Sequence, residues 1–304
     1  MKKSWKILLP VITLGLLIGA KAVSADYTVK VGDIFYYDII RSEQSISIGI
    51  NSVSNDTFRL GGHYFPEGTT VTLNITEVDP LGVDYNMSAD GYSTMKVILE
   101  TDKTKLETYV LRPLTLLEEV CLTSWNQTTF NKKHLGALLL PFLKPDNATW
   151  ETWKDYAYEI YNNGIFLTET FHGSLTIDAT YTNTSEVFLF EFIMQGQLSD
   201  TLSATGVHAV VDVDIIHKYQ FAYEPATGIM LGIRMEGTIS GTTNGTLLNI
   251  EYSYHTEKQG YNLPNYQLDK ATWPLAGYTI AITFATITFI VATIVVHKKY
   301  TKSN

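Results

Sequence analysis

Side chains alternate between apolar and polar over long stretches of this chain, with the period of two that a half-buried β-strand imposes. The cleanest case is GVHAVVDVDIIHKYQFAY, where Val207, Ala209, Val211, Val213, Ile215, Tyr219, Phe221 and Tyr223 share one phase. His208, Asp212, Asp214, Lys218 and Gln220 hold the other. EPATG then turns the chain into IMLGIRMEGTI, where Ile229, Leu231, Ile233, Met235 and Ile239 alternate again, and LLNIEYSYH follows an Asn-Gly turn. Hairpin-linked neighbours of this kind predict an antiparallel meander over 173–262. In EVFLFEFIMQ both phases are apolar, Phe188, Phe190, Phe192 and Met194 against Val187, Leu189 and Ile193. That strand is expected to be covered on both faces, as by a curved sheet wrapping a helical segment.

The same alternation runs through YTVKVGDIFYYDII, SISIGINSV, TTVTLNITEV, GVDYNMSA and STMKVILET, an N-terminal β region over 26–102. Between 103 and 172 it fades into a mixed segment. There NATWETWKDYAYEIYNNG predicts an amphipathic helix over 148–161, with Trp150, Trp153, Ala157, Ile160 and Tyr161 on one face. Asn147 is placed to cap its start and Gly164 its end. The predicted fold class is mainly β: a large antiparallel sheet or sheets (curved meander, sandwich or half-barrel) with a short helical insertion. Length leaves open whether the two β regions form one domain or two.

Both ends of the chain break the pattern. From Leu275 to Val296 no side chain is charged, and as a helix this run would be about 33 Å long, enough to cross a hydrocarbon core of about 30 Å. Trp273 and Tyr278 stand at one end, and Lys298 and Lys299 open a basic stub at the other. This predicts a single transmembrane helix over 275–296, preceded by a short stalk over 263–274 and followed by a cytoplasmic tail over 297–304. MKKSWK, then ILLPVITLGLLIGA, then VSA before Asp26, reads as a signal peptide over 1–25; an uncleaved N-terminal anchor is the alternative. Either way the expected localisation is the cell membrane, with residues 26 to about 272 outside and the C-terminus in the cytoplasm.

Composition fits an exported folded domain. The formal charge of −9 argues against nucleic acid as a partner. Cys121 is the only cysteine, so no intrachain disulfide forms, and its apolar neighbours in LLEEVCLTSW predict an inert buried thiol. Glycosylation sequons occur at Asn55, Asn74, Asn86, Asn126, Asn147, Asn183 and Asn244. Asn74 and Asn86 fall on the polar phase of their strands, and Asn183 and Asn244 fall in turns, so attached sugars would clear the core.

Candidate chemistry is sparse. No nucleophile elbow, zinc helix, paired Cys-x-x-Cys, P-loop or dinucleotide fingerprint occurs, and no motif calls for a cofactor. Asp212 and Asp214 share a strand face at about 7 Å, which offers two carboxylates where a calcium site needs six or more oxygens. His172, Ser174 and Asp178 have the residue types of a nucleophilic triad without an activated serine around them. Glu118 and Glu119 are adjacent and would point apart. The expectation is that the chain is not an enzyme.

A signal peptide, a mature start YTVKVGDIFYYDI, a Thr- and Tyr-rich β ectodomain carrying EPATGIMLG, and a C-terminal span with a basic stub together resemble archaeal cell-surface proteins of the choice-of-anchor type. The resemblance implies surface display and no defined catalytic site. The expected function is extracellular display, binding or adhesion, with membrane lipid around the C-terminal helix and a glycan or surface protein as ligand. An apolar ligand held by a half-barrel sheet is the alternative, and a surface hydrolase is a third reading.

Overall fold

The computed structural model describes residues 26–99, 104–122, 139–163, 173–204, 207–270 and 273–274. The stretches read from the sequence as a signal peptide (1–25), a transmembrane helix (275–296) and a tail (297–304) lie outside the described residues.

One antiparallel sheet of 11 strands holds both β regions together. In chain order its strands are β1 (Ile34–Ile48), β2 (Asn51–Asn55), β5 (Thr70–Asp79), β6 (Gly82–Ala89), β7 (Tyr92–Leu99), β8 (Gly173–Asn183), β9 (Phe188–Ala204), β10 (Val207–Tyr223), β11 (Met230–Thr243), β12 (Thr246–Lys258) and β13 (Trp273–Pro274). A separate hairpin, β3 (Thr57–Leu60) with β4 (His63–Pro66), lies off this sheet. The helices are α1 (Thr104–Val110), α2 (Arg112–Cys121) and α3 (Asn147–Asn163). Across the sheet the order is β13-β8-β9-β10-β11-β12-β1-β5-β6-β7, with β2 hydrogen-bonded to part of β1.

β1 joins the two β regions because it is long enough to serve two neighbours on one side. Its first residues pair with β5, its last with β2, and nearly its whole length with β12 on the other side. A bulge between Ile39 and Arg41 shifts the buried phase, so Tyr37 and Ile39 face the core before it and Gln44 and Ile46 after it. YTVKV, read as a strand from its alternation, belongs to no strand, although Tyr27 and Val29 are buried.

The helices cover the inner face. Trp150 and Trp153 of α3 pack on Phe188, Phe190 and Phe221, with ring centroids 5.2, 4.6 and 4.7 Å apart for the pairs Trp150–Phe188, Trp153–Phe190 and Trp153–Phe221. Ala157 and Ile160 complete the buried stripe, while Tyr161 at its edge stays exposed. The cap of α3 is Asp146 and not Asn147: its Oδ1 accepts from Thr149 N at 2.6 Å, the bond an N-cap carboxylate makes to the third helical residue. Phe142 touches Phe35 of β1 and Tyr85 of β6, while Leu140 O accepts from Tyr223 Oη of β10. Strands from both halves of the sheet therefore converge on one segment, and their inward side chains belong to one buried cluster.

Candidate functional site

The outer face of the sheet carries polar rows that the register aligns across strands. One row runs Arg41, His255, Arg234, Gln220, Glu191 through β1, β12, β11, β10 and β9. Residues 261–268, which follow β12, pack on its Arg234 and Glu191, while Arg41 at the end of the row stays exposed. Arg234 Nη2 donates to Gln220 Oε1 and to Pro264 O, both at 2.8 Å, and its guanidinium lies 4.0 Å from the Tyr266 ring centroid. Glu191 accepts from Gln220 Nε2 and from the backbone N–H groups of Gln267 and Leu268. Leu263, buried against Leu189 and Ala222, donates its N–H to Glu257 Oε1, which also meets His255 Nε2, both at 2.8 Å. Burial draws His255 below the ordinary histidine range, and the Glu257 carboxylate opposes this. This strap is the second cover on β9. The two-faced strand read from the sequence thus lies between α3 and the strap, and much of the stretch read as a stalk is packed on the sheet.

Beside the strap, two rows of the outer face stay open. Glu43, Ser253, Glu236 and Lys218 form one, and Ser45, Glu251, Thr238 and Ile216 the next. With Ser54, Asn55 and Asp56 as a rim, they line a cleft of about 550 Å³. Its wall is rich in acceptors: four carboxylates stand against one ammonium, Lys218, whose Nζ is 3.8 Å from Glu236 Oε1. Arg41 Nη1 donates to Glu43 at 2.8 Å, and Asn249 Nδ2 to Glu251 at 2.9 Å, which orients both carboxylates. Carboxylate and hydroxyl oxygens of this kind are acceptors for hydroxyl or amine donors. Sequence reasoning missed it because none of its residues forms a local motif. The rows exist only once β1 is known to lie against β12.

The triad residue types do not come together. Ser174 and Asp178 share a face of β8 but stand four residues apart, about 13 Å, with Asp178 buried and Ser174 exposed; His172 lies outside the described residues. Asp212 Oδ1 accepts from Gln197 Nε2 at 3.0 Å and Ser199 Oγ at 2.6 Å. Among the described residues no group of three or more His, Cys, Asp or Glu is arranged to hold a metal ion. Glu118 and Glu119 sit on α2. Burial and then the neighbouring Glu119 charge raise the Glu118 pKa, while Glu119 lies 3.5 Å from Arg112. Cys121 is partly buried, and burial pushes its thiol up to about 11 against a hydrogen bond with Thr243.

Among the sequons, Asn74, Asn147, Asn183 and Asn244 are exposed, and Asn55 and Asn86 half-buried; Asn126 lies outside the described residues. Asn74 stands directly opposite Asn86. Of the residues expected to flank a membrane anchor, the Trp273 backbone pairs with β8, while Tyr278, Lys298 and Lys299 lie outside the described residues. No family model matches this sequence, and neither a curated protein nor a solved structure matches it.

Proposed function

We propose that this chain is a single-pass membrane protein that displays its β domain outside the cell for recognition of a glycan or a glycosylated surface partner, as the resemblance to archaeal choice-of-anchor proteins implies. The observation that carries the reading is the acceptor-rich cleft on the outer face. It sits beside the polar row on which the strap packs, yet is itself left open, and its carboxylates and hydroxyls match the donors of a polyhydroxylated ligand. The export signal and the uncharged run at 275–296 support the placement outside the cell. The sequons support a glycoprotein.

Calorimetric titration of the full chain in detergent against glycans selected on an array tests the reading. Glu236→Gln and Glu251→Gln are each expected to weaken binding about tenfold, since a hydrogen bond to a charged group contributes about 1.5–3 kcal/mol. Binding unchanged in the double variant would overturn the site. Release of a bound lipid on denaturation, with no glycan bound, would turn the function to the apolar-ligand reading instead.

A further inference from the structure

Two sequons far apart in the chain meet on the outer face of β5 and β6. The inward phase of these strands is Val71, Leu73 and Ile75 with Val83, Tyr85 and Met87, which leaves Asn74 and Asn86 outward. They stand directly opposite each other, and side chains so placed on an antiparallel pair have Cβ atoms about 5 Å apart. Register carries the row across four strands: Ile34 of β1, Asn74, Asn86 and Met95 of β7. The row lies toward the end of the sheet where β8 closes at Asn183, while β13 runs the other way along β8, toward Gly173.

The row ends on an edge. Among the described residues no strand lies beyond β7, and its outward side chains include Met95 and Val97, 65% and 47% exposed. Aliphatic side chains on an edge strand invite pairing with another chain, and charges on the edge oppose it. The inward phase of β7 has such a charge, Lys96, next to the buried Ile98. The outward phase has none, and its nearest charge is Asp84 of β6, opposite Val97. What stands beside Met95 instead is the Asn86 sequon.

We propose that Asn74 and Asn86 form one modification site that takes a single N-linked glycan, and that this glycan overlies Met95 and Val97 and keeps the β7 edge from pairing with a second copy of the chain. This rests on the reading of the chain as an exported glycoprotein. Glycan transfer joins an asparagine Nδ2 to the anomeric carbon of a glycosyl phosphate donor; that carbon's bond to the phosphate oxygen breaks, and the phosphate and the amide proton leave. Either asparagine can accept. Once one has, its bulky sugar fills the space in front of the other, about 5 Å away, so the folded sheet has room for one. Asn74 is two strands from Met95 and Asn86 one, at about 4.8 Å per strand, so a glycan on either reaches the edge.

The test is glycopeptide mapping and intact mass of the full chain, extracted in detergent from a host that glycosylates asparagine sequons. Each parent molecule is expected to carry one glycan on the pair. Thr76→Ala and Ser88→Ala each remove one sequon without touching either asparagine. Each is expected to leave the number of glycans unchanged, with the sugar on the remaining asparagine. The double variant, with circular dichroism matching the parent, is expected to lose one glycan and to sediment as a larger species, and Val97→Lys added to it to restore the parent's size. Glycans on Asn74 and Asn86 of one molecule, or loss of a glycan from either single variant, would overturn the shared site. A double variant that sediments like the parent, or an association that survives Val97→Lys, would overturn the shielding of β7. Bare Asn74 and Asn86 with glycans on other sequons would overturn the proposal alone; a chain bare at every sequon would overturn the glycoprotein reading with it.

Discussion

His217 shows how much one buried side chain constrains this domain. It is fully buried in the apolar phase of β10, where Tyr252 Oη lies 2.8 Å from Nδ1 and Tyr109 O 3.0 Å from Nε2. That arrangement fits a neutral ring donating from Nε2 and accepting at Nδ1. Burial, with the Arg112 charge adding to it, lowers its pKa from 6.5 to about 3 against its backbone hydrogen bonds. The unfolded chain therefore takes up a proton below about 6.5 that the folded chain refuses. The His217 contribution to stability is complete above that pH and falls as pH drops toward 3, by up to about 1.4 kcal/mol per unit. Urea unfolding at pH 7.5 and pH 5 checks this: His217→Gln is expected to be less stable at pH 7.5 but to lose less on acidification. An equal loss in both chains would contradict the assignment. Tyr219 gives the opposite case, since its buried hydroxyl has no hydrogen-bond partner among the described residues. Tyr219→Phe is expected to raise stability by about 1 kcal/mol, read from the urea midpoint. The inward position of Tyr219 was legible in the sequence as a member of the apolar phase of β10, because alternation reports facing directly; His217 shares that phase but, as a polar residue type, was passed over. The partners of His217 were not legible, since Tyr109 and Tyr252 come from distant segments.

At the scale of elements, α3 and the strap enclose β9 from opposite sides, and the sequence revealed them unequally. The stripe of Trp150, Trp153, Ala157 and Ile160 repeats at helical spacing, so the helix and its buried face were readable in advance. Trp153→Ala empties a site between Phe190 and Phe221 and is expected to cost about 3–5 kcal/mol, measured by urea unfolding. The strap has one buried apolar residue, Leu263, and is held besides by hydrogen bonds to Glu191, Arg234 and Glu257 and by the Tyr266 ring against Arg234. Such a segment reads as a polar stalk because its partners lie on strands far away in sequence. Glu191→Ala leaves the partly buried Gln267 and Leu268 N–H groups without their carboxylate, at about 1–3 kcal/mol in all. Faster amide exchange confined to 261–268 is the expected result. Unchanged exchange there would show that Glu191 does not hold the strap. The bulge in β1 was equally hidden, since IFYYDII offers apolar residues in both phases and no local signal says where the phase changes.

For the whole molecule, alternation gave the antiparallel β class, while the joining of two β regions into one sheet depended on β1 pairing with β5 and β12, which local pattern does not encode. The outer cleft followed from that pairing and was invisible for the same reason. What gives the architecture its proposed meaning is direction. The cleft opens on the outer face, the sequons Asn74, Asn86 and Asn183 gather at one end, and the chain exits toward the other, where the uncharged run begins. The central claim is therefore topological: a recognition domain outside the cell, held by one C-terminal span. Its most direct test is labelling of intact cells that carry one epitope just after Asp26 and another after Asn304. The account expects antibody to reach the first epitope on intact cells and the second only after permeabilisation. Labelling of both on intact cells, or of the second alone, would contradict it.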